Sequence, residues 1–158
     1  MLISIVVFGG LIFLMSLLFP STVRISRAIN IGARKEAVQE KIGDLRKWAQ
    51  WNDLVTTENL TRISYTDTSF SSDQVKVNML FSSPDSIQTA WKNKDRTTYG
   101  TFHLLQITPD TTVVHWFFDI KPRVYPWEKF GSLVLEDRLG QPMETALTKL
   151  KKVVEDNQ

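Results

Sequence analysis

The stretch VRISRAINIGARKEAVQEKIGDLRKWAQWND, residues 23–53, sets the start of the architecture. Val23, Ile25, Ile29 and Ile31 alternate with Arg24, Ser26, Ala28 and Asn30. A period of two marks a strand with one buried face, and only Arg27 breaks its apolar side. The period then changes. Val38, Ile42 and Leu45 stand at i, i+4 and i+7, on one helical face, and Gly43 is a plausible stop. Asp44 can cap a second short helix that holds Leu45 and Trp48, with Trp51 beyond it in a loop.

Toward the C-terminus, residues 59–120 read as a series of short strands: LTRISY, QVKVNMLF, SIQTAWK, YGTFHLLQI and TVVHWFFDI. Turn chemistry separates them at Ser71-Ser72-Asp73, Ser83-Pro84-Asp85, Asn93-Lys94-Asp95 and Thr108-Pro109-Asp110. Consecutive strands joined by tight turns imply an antiparallel meander. Residues 127–155 return to helical period, with Leu139, Met143, Ala146, Leu147, Leu150, Val153 and Val154 in one apolar stripe. Gly140 and Pro142 interrupt it, so a kink or two helical pieces are expected. This order has a simple packing solution in the α+β class. A curved antiparallel sheet takes the long helix across its concave face, and the short helices close one end.

Toward the N-terminus, residues 1–19 read MLISIVVFGGLIFLMSLLF, with no charged side chain. As a helix the run spans about 28 Å, close to the hydrocarbon thickness of a bilayer. It lacks the basic start and small-x-small end of a cleaved signal peptide. The chain therefore divides into a transmembrane anchor, residues 1–20, and a domain, residues 22–158. Arg24, Arg27, Arg34 and Lys35 follow the run, and positive-inside places the domain in the cytoplasm. The expected localisation is a single-pass membrane protein.

With 19 Lys and Arg against 17 Asp and Glu, the charge is too balanced for a nucleic-acid surface. The absence of cysteine excludes disulfides, thiolate catalysis and Cys-type zinc sites. Eleven per cent aromatic content, with five Trp, points to a core or cavity built from large rings.

Three stretches together resemble the SRPBCC superfamily, also called START-like or helix-grip proteins, which includes polyketide cyclase/dehydratase-like and lipid-transport members. The stretch at 23–53 is similar to the family's opening strand, helix and "D-L-x-x-W-x-x-W" corner. TPDTTVVHWFF is similar to its final hairpin, and GQPMETALTKLKKVVE to its terminal helix. Residues 56–100 depart from the pattern: they lack the family's Gly-rich strands and look shortened by about one strand. The resemblance implies a helix-grip fold and a cavity between sheet and C-terminal helix that takes a lipid or other hydrophobic small molecule. It implies no single activity.

The chain carries two histidines. If Pro109-Asp110 form a two-residue turn, His103 lies opposite Trp116 and His115 opposite Leu104, so the imidazoles point to opposite faces. His103, Leu105, Ile107, Val114, Trp116 and Phe118 would then share the more apolar face, assigned to the cavity. A one-residue change of register would reverse this assignment. His103 is the one weak candidate for a catalytic group. The hypothetical cavity lining is Trp48, Trp51, Trp91, His103, Leu105, Trp116, Phe118, Leu139, Met143 and Leu147. Core packing predicts many of the same residues. No metal-ligand spacing, G-x-S-x-G elbow or phosphate loop is present, and no cofactor is expected.

Three functions compete. The first is a membrane-anchored module that binds a lipid or other hydrophobic small molecule. The second is a polyketide cyclase/dehydratase-like enzyme using His103. The third is a protein-interaction module whose pocket has been filled by side chains, its partner unknown.

Overall fold

Strand β1 (Val23–Ile31) forms where the period of two places it, with Ile25 and Ile31 fully buried on its inner face. The computed structural model describes residues 7–11, 13, 14, 22–94, 96–121 and 126–157. Helix α1 (Lys35–Ile42) buries Val38 and Ile42 and ends at Gly43. Two 3-10 helices follow, η1 (Leu45–Gln50) and η2 (Asp53–Val55). The Asp44 carboxylate caps η1 by accepting from the Arg46 amide at 3.0 Å. The side-chain hydrogen bond from Arg46 holds the Asp44 carboxyl below the usual carboxylate range.

Six more strands come next: β2 (Ser64–Tyr65), β3 (Ser69–Ser71), β4 (Val75–Ser82), β5 (Ser86–Asn93), β6 (Arg96–Thr108) and β7 (Thr111–Ile120). Helix α2 (Pro126–Glu155) ends the fold. The seven strands form one antiparallel sheet in the order β1-β7-β6-β5-β4-β3-β2. Strands β2 to β7 are a meander, and β1 returns to pair with β7 from Val23↔Ile120 to Ile31↔Thr112. This is the expected α+β arrangement of antiparallel sheet and terminal helix.

Three details differ from expectation. The strand at 60–65 shrinks to Ser64–Tyr65. Strand β3 was hidden because its polar segment offers one buried apolar residue, Phe70. Helix α2 runs as one helical span through Gly140 and Pro142. Gly140 has a packing role. A Cβ there would lie 2.0 Å from Nη2 of Arg27, so the glycine leaves room for the guanidinium. Arg27, the residue that broke the apolar side of β1, donates to Glu136 Oε1 (2.8 Å) on α2 and to the Ser26 carbonyl.

The β6–β7 hairpin corrects the assignment of faces. Thr108 does pair with Thr111, as a two-residue turn at Pro109-Asp110 requires. The register then shifts between Gln106 and Thr108, so Ile107 is a bulge and Gln106 pairs with Thr112. One extra residue on one strand turns every side chain beyond it to the other face. His103 therefore faces His115, and both lie on the outer face. Leu105 and Ile107 are 64% and 61% exposed. Phe102, Leu104, Val114, Trp116 and Phe118 are buried on the inner face.

Most of the predicted anchor, residues 1–6, 12 and 15–20, lies outside the described residues. Residues 7–11, 13 and 14 are helical, and Val7, Phe8, Leu11, Phe13 and Leu14 are exposed. Among the described residues no helix is long and apolar enough to cross a membrane.

Candidate functional site

Helix α2 packs chiefly on β1 and also touches α1, η1 and η2. It leaves a space above the strands farther along the sheet, and the two ends of that space differ. The η1 corner fills one end. Trp48 and Trp51 descend from it onto the inner face, their ring centroids 5.3 Å apart. Trp48 sits 5.9 Å from Phe102, and Phe102 stacks on Trp116 at 4.7 Å. All four rings are buried. Trp48 is fixed by a hydrogen bond from Nε1 to the Ile42 carbonyl at 2.8 Å. Trp51 Nε1, Asn52 Nδ2 and Trp116 Nε1 are buried with no hydrogen-bond partner among the described residues. Each such donor costs about 1–3 kcal/mol, so this end is dense but not polar-satisfied.

The other end is a cleft of about 910 Å³. Its apolar lining comes from Leu54, Leu60, Val75, Trp91, Phe118 and Ile120, with Leu139 from α2. Trp91 and Phe118 meet edge to face at 5.5 Å and form the boundary between the filled end and the hollow. Gly100 makes their position possible. A Cβ there would lie 2.8 Å from Phe118 Cε1 and 3.1 Å from Trp91 Nε1. Trp91 is held by Nε1 donating to Thr89 Oγ1 (3.0 Å), and Thr89 in turn donates to the Gly100 carbonyl.

One wall of the cleft is the segment from η2 to β2. Backbone and side-chain bonds hold it to the β3–β4 turn. The Thr61 amide donates to Asp73 Oδ1 (2.9 Å), the Asp73 amide to the Thr61 carbonyl, and Gln74 Nε2 to the Asn59 carbonyl. The bond from the Thr61 amide lowers the Asp73 carboxyl below its ordinary range. Lys149 of α2 donates to both Asp53 oxygens at 2.6 and 2.8 Å, tying η2 to the helix. The rim carries Lys94, Arg96 and Lys121, and none of the described lining residues is acidic.

The mouth has a defined place in the sheet. Val23 pairs with Ile120, and Thr98 pairs with Trp91. One residue further in, Arg24, Asp119, Tyr99 and Ala90 form a continuous row. The first residue of β1 thus lies in the same row as the cleft floor.

The predicted site residues separate into three groups. Trp91, Phe118 and Leu139 line the cleft. Trp48, Trp51, Trp116, Met143 and Leu147 are buried and fill the core. His103 and Leu105 lie outside, on the opposite face. His103 and His115 each pack on Phe117, at 5.4 and 5.3 Å, and the Arg24 guanidinium covers that ring at 4.2 Å while pairing with Asp119. The enzyme expectation thereby loses the residue it rested on, because His103 does not reach the cleft. The missed lining residues are those of the η2–β2 segment and the cationic rim. Leu60 sits in a polar run with no periodicity, and the rim cations stand at turn positions where charge is ordinary. Among the described residues no group of three or more His, Asp or Glu is placed to hold a metal ion.

The chain is similar to a START superfamily protein from Mycobacterium smegmatis, with a TM-score of 0.63 at 15% identity over 85% of this chain and 99% of that one. A conserved protein from Geobacillus kaustophilus gives 0.65 at 10% identity, over 85% and 96%. A Staphylococcus aureus protein of unknown function gives 0.63 at 11%, over 86% and 96%. No protein-family profile and no curated protein matches the sequence. Likeness at such low identity shows the fold alone.

Proposed function

The chain has the START-like helix-grip fold, and on that premise we propose that it is a membrane-tethered binding domain holding a lipid or other apolar small molecule in the end cleft. The cleft itself carries the proposal. Its volume of about 910 Å³ falls in the range of small-molecule sites, and its floor is aromatic and aliphatic. Position adds support. Only Pro20, Ser21 and Thr22 separate the apolar run from β1, so Val23 lies within roughly 14 Å of Phe19. Since Val23 shares a row with the cleft floor, an anchored domain turns this end of the sheet toward the bilayer. A ligand would then enter from lipid without crossing water. The exposed apolar helical residues at 7–11, 13 and 14 fit the tether.

Two measurements test the reading. The full chain should stay with membranes through alkaline carbonate extraction. Native mass spectrometry of the full chain released from zwitterionic nanodiscs should show one apolar adduct per chain, lost in Gly100→Val, where the cleft floor is pushed up. An adduct-free chain, or adducts unchanged in that variant, would refute the cleft as the binding site. The interaction-module reading keeps one observation in its favour: Phe81, Tyr99, Leu105 and Ile107 are exposed. It predicts an adduct-free chain from the same experiment.

A further inference from the structure

Resting on the cleft reading, we infer that the ligand is an anionic amphiphile, with its chain on the Trp91–Phe118 floor and its carboxylate or phosphate head at Lys94 and Lys121. The cleft is graded. Its floor is apolar, its sides carry neutral Thr and Asn residues, and its charged residues, among those described, are cations at the rim. Lys94 stands in the β5–β6 turn next to the Asn93↔Arg96 pair, and Lys121 follows directly on β7. The Tyr99↔Asp119 pair sets these two strand ends side by side, so both lysines stand at the same edge of the mouth. Lys94 holds a left-handed backbone conformation (φ 49°), which sets the course of the chain at the rim. By contrast, Lys35, Lys47, Lys149 and Lys151 pair with carboxylates within the fold. A neutral lipid would leave Lys94 and Lys121 with no complement. An anionic head at the mouth would meet them while its chain occupies the apolar floor. The same edge is the one the tether presents to the bilayer, where anionic headgroups are found.

The test uses the full chain in zwitterionic nanodiscs. Two ligands share one bromine-labelled chain, 9,10-dibromostearate and 9,10-dibromostearyl alcohol, and bromine quenches Trp91 on contact. Stearate should bind about tenfold more tightly than the alcohol, the effect of two exposed ion pairs. The double variant Lys94→Asn, Lys121→Asn should erase that difference, Asn being chosen at position 94 because it tolerates the left-handed conformation. Equal affinity for acid and alcohol, or a preference that survives the double variant, overturns the charge assignment and leaves the cleft reading standing. Quenching by neither ligand overturns both. Millimolar inorganic phosphate should not displace the stearate; displacement would make this a site for free anions and overturn the amphiphile.

Discussion

The two ends of the space between α2 and the sheet are lined by the same kinds of residues and reach opposite outcomes. At one end Trp48, Trp51, Phe102 and Trp116 interlock with centroid separations of 4.7–6.4 Å and are buried. At the other, Trp91 and Phe118 stop short and a cleft remains. The difference is made by what closes each end. The filled end is closed by η1, a helical turn that drives two indoles into the gap. The hollow end is closed by an extended segment, η2 to β2, held at a distance by hydrogen bonds to the β3–β4 turn. A large ring on a short rigid turn makes core, whereas a bonded loop that stands off the sheet makes a site.

The contrast can be broken from the filled end first. Trp48→Ala should cost about 3–5 kcal/mol, as removal of a buried aromatic does. That is a large part of the roughly 5–15 kcal/mol that holds a domain together. Trp48→Phe also removes the donor to the Ile42 carbonyl, whereas Trp116→Phe removes a donor that has no partner. Trp48→Phe should therefore be the costlier of the two by about 1–2 kcal/mol. Urea unfolding of the full chain in mild detergent measures all three. An equal cost for the two Phe variants would remove the distinction between them.

The boundary between the ends comes next. Gly100→Val puts carbon where Phe118 and Trp91 now lie, within 2.8 and 3.1 Å of a Cβ. Overpacking of this kind costs about 1–3 kcal/mol, and the rings have open space only on the cleft side. Stability should fall moderately while ligand occupancy in native mass spectrometry is lost. A fall in stability with full occupancy would place the ligand outside the cleft.

The smallest effect belongs to the wall. Its Asp73 has a carboxyl pKa depressed chiefly by the Thr61 amide. A depressed pKa in the folded state means that the bond contributes fully above the ordinary Asp value, about 3.9, and is lost as pH falls through the lower folded value. Exchange of the Thr61 amide, corrected for intrinsic rate, should therefore quicken only in that acid window. Asp73→Ala should reproduce the quickening at neutral pH without changing exchange in β6 and β7. Quickening throughout the sheet would mean that the wall is not an independent unit.

Much of this fold was readable in advance. The strand, helix and Trp corner of residues 23–53 lie where their periods put them, because local burial on one face dictates both period and element. The cap at Asp44 was legible for the same reason, since the bond to the Arg46 amide spans two residues. The face of His103 was not. The turn at Pro109-Asp110 was read correctly, but a single bulged residue at Ile107 reversed every side chain beyond it, and a bulge leaves no periodic signal. The cleft was half legible. Trp91, Phe118 and Leu139 stood out as large apolar residues, while Leu60 and the lysines of the rim had nothing in their neighbours to mark them.

The sequence by itself determined the elements, their order and which residues were large and apolar, because these follow from contacts a few residues apart. It also placed an apolar run directly before β1. Only the tertiary structure decided which rings became core and which became floor. Trp48 and Trp91 are the same residue type, 43 positions apart, and their fates depend on how far the η1 corner and the η2–β2 segment stand from the sheet. That distance is set by long-range contacts: the Lys149 pair with Asp53, and Arg27 seated over Gly140.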